Sequence, residues 1–211
     1  MTNFIPLFPL NIVVYPHEQL NLHVFEPRYK QLITDCFTEK KSFGIITSDG
    51  GKTNEFGSLV EIVEIVKVYN DGKMDIKTKA TNVFVVLEII KQLPEKMYGG
   101  AIVNYPDNAE YINTKLMATI LKDLRYFYQL LNVKKDFNKP DVALYSYDIA
   151  HHIGLSVNEE YELLELMQEN QRLEYLRRHL AKTINVILGI ENLKDKIKLN
   201  GHFRELTGFS L

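Results

Sequence analysis

A chain of 211 residues can bury a substantial core, and its 45% hydrophobic and 25% charged content is that of an ordinary globular protein. A formal net charge of −2 gives no general attraction to nucleic acid or anionic lipid, and a single cysteine, Cys36, excludes a disulfide framework and a multi-cysteine metal site. No run approaches the roughly 18 apolar residues of a membrane span, and the Met-Thr-Asn start has no signal-peptide character, so a cytoplasmic protein without membrane segments is expected.

Up to about residue 106 the pattern is that of strands. FIPLFPL, IVVY and LNLHV are short apolar pieces broken by Pro6, Pro9, Pro16 and Glu18, a proline density that fits edge strands and turns and excludes a helix. One helix intervenes: Glu26-Pro27-Arg28-Tyr29 leads into KQLITDCFTEK, with Pro27 suited to the first turn. Cys36, beside Ile33 and Phe37, reads as a buried and inert thiol. The strand SFGIIT then runs into SDGGKT, which ends like a phosphate-binding loop. Such a loop requires G-x-x-x-x-G-K-[ST] and a following helix, whereas Ile46 holds the leading position and the β-type NEFGSLVEIVEIV follows. SDGGKT is therefore read as a flexible connection centred on Gly50-Gly51, and no nucleotide is expected there.

LVEIVEIVKVY is rich in β-branched residues, but Glu61, Glu64 and Lys67 recur every third residue, which fits neither strand nor helix and predicts a bulge near Val63–Glu64. Asn70-Asp71-Gly72 supplies a hairpin turn. KMDIKTKA alternates cleanly, with Met74, Ile76, Thr78 and Ala80 on one face and Lys73, Asp75, Lys77 and Lys79 on the other. NVFVVLEIIK, apolar on both faces, reads as a central strand, and the glycines of YGGAIVNY permit a close backbone approach.

After PDNAE the period becomes helical: Leu116, Ile120, Leu124, Phe127 and Leu131 mark one face. DVALYSYDIAHHIG reads as a second helix stopped by Gly154, and Ser156 with Glu159 has capping-box spacing before VNEEYELLELMQ. A last long helix carries Leu173, Leu176, Leu180, Ile184 and Ile187, and the tail beyond it reads as partly helical and then irregular.

The six histidines show no ligand spacing, and His151 and His152 point about 100° apart on a helix, so no metal is expected. No nucleophile motif is present, and helix capping accounts for Ser156. Most aromatics of the strand half are core, but prolines and aromatics crowded near the N-terminus can leave an apolar groove with open strand edges for an extended peptide.

The stretch FIPLFPLNIVVYPHEQLNLHVFEPRYKQLITDC resembles the N-terminal, substrate-recognition domain of Lon proteases, and in particular stand-alone proteins made of that domain. The match runs through Pro6 to Leu10, Tyr15-Pro16, Leu20, Leu22 and His23 to Tyr29, continues at FGII, Gly57 and DGKMDI, and is weaker in the helical half. His17 departs from it, since a glycine often follows that proline, and LNGHFRELTGFSL has no counterpart.

The resemblance implies an α+β fold, a PUA-like β pseudo-barrel with one helix over residues 1–107 followed by a C-terminal helical bundle and tail over 108–211. It implies a non-catalytic module that binds unfolded or extended protein segments, acting with a protease or chaperone system. The AAA+ motor and Ser–Lys protease of full Lon come later in its chain and are not expected before Leu211, so neither enzymatic activity nor a cofactor is expected. Phe8, Tyr15, Phe25 and Tyr29 are the candidate peptide contacts, and Glu26, Pro27 and Arg28 a structural corner. Two alternatives stay open: RNA on the basic face of Lys73, Lys77 and Lys79, against which Asp75 and the net charge weigh, and a small-molecule or enzymatic pocket in the pseudo-barrel.

Overall fold

The computed structural model describes residues 3–49, 52–109, 111 and 113–206. The chain forms two compact units, Met1–Tyr111 with Ser146–Arg172, and Ile112–Tyr145 with Leu173–Leu211. The change of period near residue 107 coincides with the end of the strands, yet residues 146–172 return to the strand unit.

In the first unit the strands are β1 (Asn3–Leu10), β2 (Gln19–Val24), β3 (Phe43–Asp49), β4 (Lys52–Val68), β5 (Met74–Ile90) and β6 (Gly100–Asn104), with α1 (Pro27–Glu39) between β2 and β3. Their order is β2-β5-β4-β3-β1-β6, and β6 also pairs with β5, which closes the sheet into a barrel. Among the described strands only β1 and β3 run parallel, and β2 with α1 provides the crossover such a pair needs. Pro27 stands at the first helical position of α1. The helix stops without glycine, at Lys40 in the left-handed region (φ 52°), where Lys41 N–H returns to Cys36 O at 2.9 Å.

Within SDGGKT, Asp49 pairs with Lys52 and strand β4 follows rather than a helix; Gly50-Gly51 lies outside the described residues. Strands β4 and β5 each run 17 residues. The register between them shifts at Ile62/Glu64, where the charge spacing predicts a bulge, and again at Ile65/Lys67. The three-residue spacing on β4 thereby meets the two-residue spacing on β5, placing Glu61 opposite Lys79, Glu64 opposite Lys77 and Lys67 opposite Asp75. Met74, Ile76, Thr78 and Ala80 are buried as their alternation requires. NVFVVLEIIK is not buried on both faces: Leu87 and Ile89 are 56% and 43% exposed, because a barrel strand has an outer face. A Cβ at Gly100 would lie 2.4 Å from the Phe4 ring and 2.5 Å from Ile5 O, so β1 and β6 approach as closely as they do only with glycine there.

The expected helix over 141–154 is broken into a 3₁₀ turn (Asp141–Ala143) and α3 (Ser146–Ala150). Leu144 between them is extended and buried. Gly154 adopts φ +80° as a terminator should, and Ser156 with Glu159 forms the capping box of α4 (Val157–Leu164).

Helix α5 (Glu169–Leu206) starts inside the strand unit with a fully buried ion pair, Arg172 Nη2 to Glu169 Oε2 at 2.8 Å. The Arg172 guanidinium also donates to Asn108 Oδ1 and Leu166 O, both at 2.7 Å, to Ser146 Oγ at 2.9 Å and to Ala109 O at 3.3 Å. It lies 4.3 Å from the Tyr147 ring centre. The Glu169 carboxylate accepts from Ser146 N (2.7 Å) and Ser146 Oγ (2.6 Å), which caps α3.

In the second unit, α2 (Thr114–Leu130) is capped by Asn113, whose side chain accepts from Leu116 N, and it buries Ile120, Leu124 and Phe127. Leu131 lies past its end and is 46% exposed. Leu173, Leu176, Leu180 and Ile184 form the buried stripe of α5. The helix extends to Leu206, further than the sequence suggests, and residues 207–211 of the tail lie outside the described residues. Among the described residues no helix is long and apolar enough to cross a membrane.

Replacing Arg172 by Leu leaves the Glu169 carboxylate buried without its cation and should cost about 3–5 kcal/mol in urea unfolding. The double change Glu169→Gln with Arg172→Met should cost clearly less than Arg172→Leu alone. Equal losses would show that the pair is not the determinant.

Candidate functional site

Two side chains one turn apart on α1, Gln31 and Asp35, fasten the loop between β5 and β6 (residues 91–99). Gln31 accepts from Met97 N at 2.7 Å and donates to Glu95 O at 3.4 Å. Asp35 Oδ2 accepts from Lys96 Nζ and from Tyr98 Oη, each at 2.8 Å. Partial burial works against the Asp35 carboxylate, but the Lys96 and Tyr98 hydrogen bonds outweigh it and hold its pKa below the usual range. Burial, followed by the Asp35 carboxylate, drives the Tyr98 phenol well above its ordinary value.

The loop separates two clefts that share Tyr98 as a wall. The larger, about 640 Å³, runs along Asn3–Pro6 and is lined across from β1 by Cys36, Lys41, Leu93 and Lys96. Pairing of β1 with β3 begins only at Leu7, so the cleft follows the half of β1 that lies before this pairing. Phe4, 45% exposed, stands in it. The smaller, about 210 Å³, is lined by Leu7, Pro9, Arg28, Tyr29, Ile89 and Met97, of which Met97 is 59% exposed. Burial and the neighbouring Asp35 push the Cys36 thiol up to about 12, so this wall of the larger cleft carries no thiolate at neutral pH.

The four aromatic candidates do not gather in one groove. Phe8 stacks on Tyr29 (ring centres 4.1 Å apart) and packs near Phe43 in the core, although Tyr29 still reaches the smaller cleft. Tyr15 is buried elsewhere, stacked on Tyr147 at 4.9 Å with its hydroxyl donating to Glu160 O at 3.0 Å. Phe25 is 57% exposed beside His23. At the corner before α1, Arg28 pairs with Glu26 at 2.8 Å and lies over the Tyr29 ring. Phe4, Gln31, Asp35, Met97 and Tyr98 were not singled out by the sequence; the polar i, i+4 pair on α1 and the KMYGG stretch were the available signals.

The lysines of the hairpin do not form a free basic face. Lys77 pairs with Glu64 at 3.0 Å, Lys73 with Asp71 at 2.8 Å, and Lys79 sits opposite Glu61. Asp75 accepts from Tyr69 and bonds His23, each at 2.6 Å, and these hydrogen bonds lower its pKa. His151 is clasped between Glu160 (2.6 Å) and Glu18 (3.2 Å) against the Tyr15 ring. Burial disfavours its charge, but the two carboxylates prevail and its pKa rises to about 9.

A closed, mixed β barrel with a crossover helix, joined by short capped helices to a long terminal one, defines the class of fold. The sequence matches the ATP-dependent protease La (LON) substrate-binding domain over residues 5–182, and the chain belongs to that family. The Lon N-terminal domain protein from Xanthomonas campestris is 27% identical, with a TM-score of 0.63 over 83% of this chain and 98% of that one. The N-terminal domain of Mycobacterium avium complex Lon protease shares the fold at 14% identity, also with a TM-score of 0.63, over 85% of this chain and 98% of that one. No curated protein matches the chain. His17, the departure from the family pattern, has φ 69°, the left-handed geometry that a glycine would adopt without strain.

The His151 clasp gives stability a defined pH dependence. Its folded pKa lies above the unfolded value of 6.5, so its contribution is complete below about pH 6.5 and is lost as pH rises through about 9. Between pH 7 and pH 10 the protein should lose on the order of 2 kcal/mol relative to a His151→Gln variant. Parallel pH profiles from thermal unfolding would contradict this.

Proposed function

We propose that this protein is a non-catalytic module that captures extended, apolar-rich protein segments, and that the larger cleft with its exposed Phe4 receives them. The observation that carries this reading is the cleft of about 640 Å³ running beside the Asn3–Pro6 backbone. An extended segment laid there places apolar side chains against Phe4, Leu93 and Tyr98, and its main chain beside the strand. Tyr29 and Met97 in the smaller cleft extend the apolar contact past the loop.

The family assignment supports protein segments as the ligand class. The Cys36 thiol stays protonated, and the buried hydroxyls of Ser58 and Ser146 are committed to Val14 O and Glu169. Captured segments are then clients for a protease or chaperone system.

Titration calorimetry with a permanently unfolded protein tests the reading. Phe4→Asp and Met97→Asp should each weaken binding at least tenfold, about 1.4 kcal/mol, while Phe25→Asp changes it less than threefold. No binding by the parent chain, or full binding by Phe4→Asp, would refute the site.

A further inference from the structure

The C-terminal half of α5 carries a second apolar stripe, separate from the buried Leu173–Leu176–Leu180–Ile184 one. Val186, Ile190, Leu193 and Ile197 are 54%, 49%, 57% and 62% exposed. Their spacing of four, three and four residues is the a/d repeat of a two-helix seam, about 18 Å long at the rise of a helix. Beside it Glu191, Lys194 and Lys198, together with the half-buried Ile187, flank one side, and Asn185, Asn192 and Lys196, together with Gly189, the other. A seam of this kind on a surface helix, flanked by charges over Glu191–Lys198, calls for a partner helix.

The occupant is fixed by self-complementarity. Because the spacing is the same in both directions, an antiparallel second copy places Val186 against Ile197 of the other copy and Ile190 against Leu193 of the other copy. All eight residues are then paired by one two-fold axis. In the same register Glu191 and Lys194 of the second copy share a flank and differ by about 3 Å along the axis, so the dimer contains two opposite-charge contacts. A parallel pair would instead turn the flank bearing Lys194 toward the flank bearing Lys196. We infer that the stripe Val186–Ile190–Leu193–Ile197 is a homodimerisation seam that takes a second copy of this chain in antiparallel orientation.

Two such three-turn segments bury on the order of 1,000 Å² in total, the low end for a specific interface. The dimer is therefore concentration-dependent, and binding that links two capture clefts raises the avidity for a client with several apolar segments. The seam stands independently of the capture reading, since self-association is measured without any client.

Sedimentation equilibrium of the full chain from micromolar to near-millimolar concentration should show a reversible monomer–dimer equilibrium. Leu193→Asp should weaken it at least tenfold, while Val142→Asp, at a 91% exposed position outside the seam, should leave it unchanged. Glu191→Lys should weaken the dimer, and adding Lys194→Glu should restore it. Direction is read by oxidative cross-linking: a chain with Ile190→Cys mixed with a chain with Leu193→Cys should give the mixed disulfide in preference to either homodimer. A monomer at every concentration, or a Leu193→Asp variant that dimerises like the parent, overturns the inference. Dominant homodisulfides overturn the antiparallel orientation.

Discussion

A guanidinium with no water to turn to organises the strand unit. Arg172 is 1% exposed, and its donors are taken up by four separate stretches of chain. These are the residues after β6 (Asn108 and Ala109), the start of α3 (Ser146), the residue after α4's cap (Leu166) and the first turn of α5 (Glu169). An apolar side chain could fill the same volume, but it could not specify which carbonyl and which helix end come together. The pair explains why residues 146–172 group with the barrel although the chain has by then passed through α2. It also explains the broken helix before Ser146, because the Ser146 N–H and hydroxyl are both held by Glu169.

What the sequence made legible was what depends on neighbours in the chain. Proline at the start of α1, the turn at Gly72, the capping box at Ser156 and the alternation along Met74–Ala80 each follow from local chemistry and are found where they were read. The three-residue charge spacing of Glu61, Glu64 and Lys67 was legible as a bulge but not as its reason, since Lys79, Lys77 and Asp75 meet it only across the sheet. Glu169 and Arg172 lie on the continuation of the Leu173–Leu176–Leu180 stripe, and two charges on a buried face were the missed signal of an ion pair.

The site shows the same limit. Aromatic residues can be counted in a sequence, but whether a ring is in the core or open to a ligand is decided by packing. Phe8 and Tyr15 are consumed by stacking on Tyr29 and Tyr147, whereas Phe4, two residues before a proline and on a strand that leaves the β3 side at Leu7, stays half open. Gln31 and Asp35 acquire meaning only because the β5–β6 loop folds back onto α1.

In the proposed capture mode, extended segments lie along the β1 half that precedes its pairing with β3. Hydrogen–deuterium exchange of the full chain, with and without an excess of a permanently unfolded protein, measures it directly. Added protection should be confined to residues 3–6 and the 91–99 loop. Protection spread over the Lys73–Lys79 hairpin face instead, or none anywhere despite measurable binding, would contradict it.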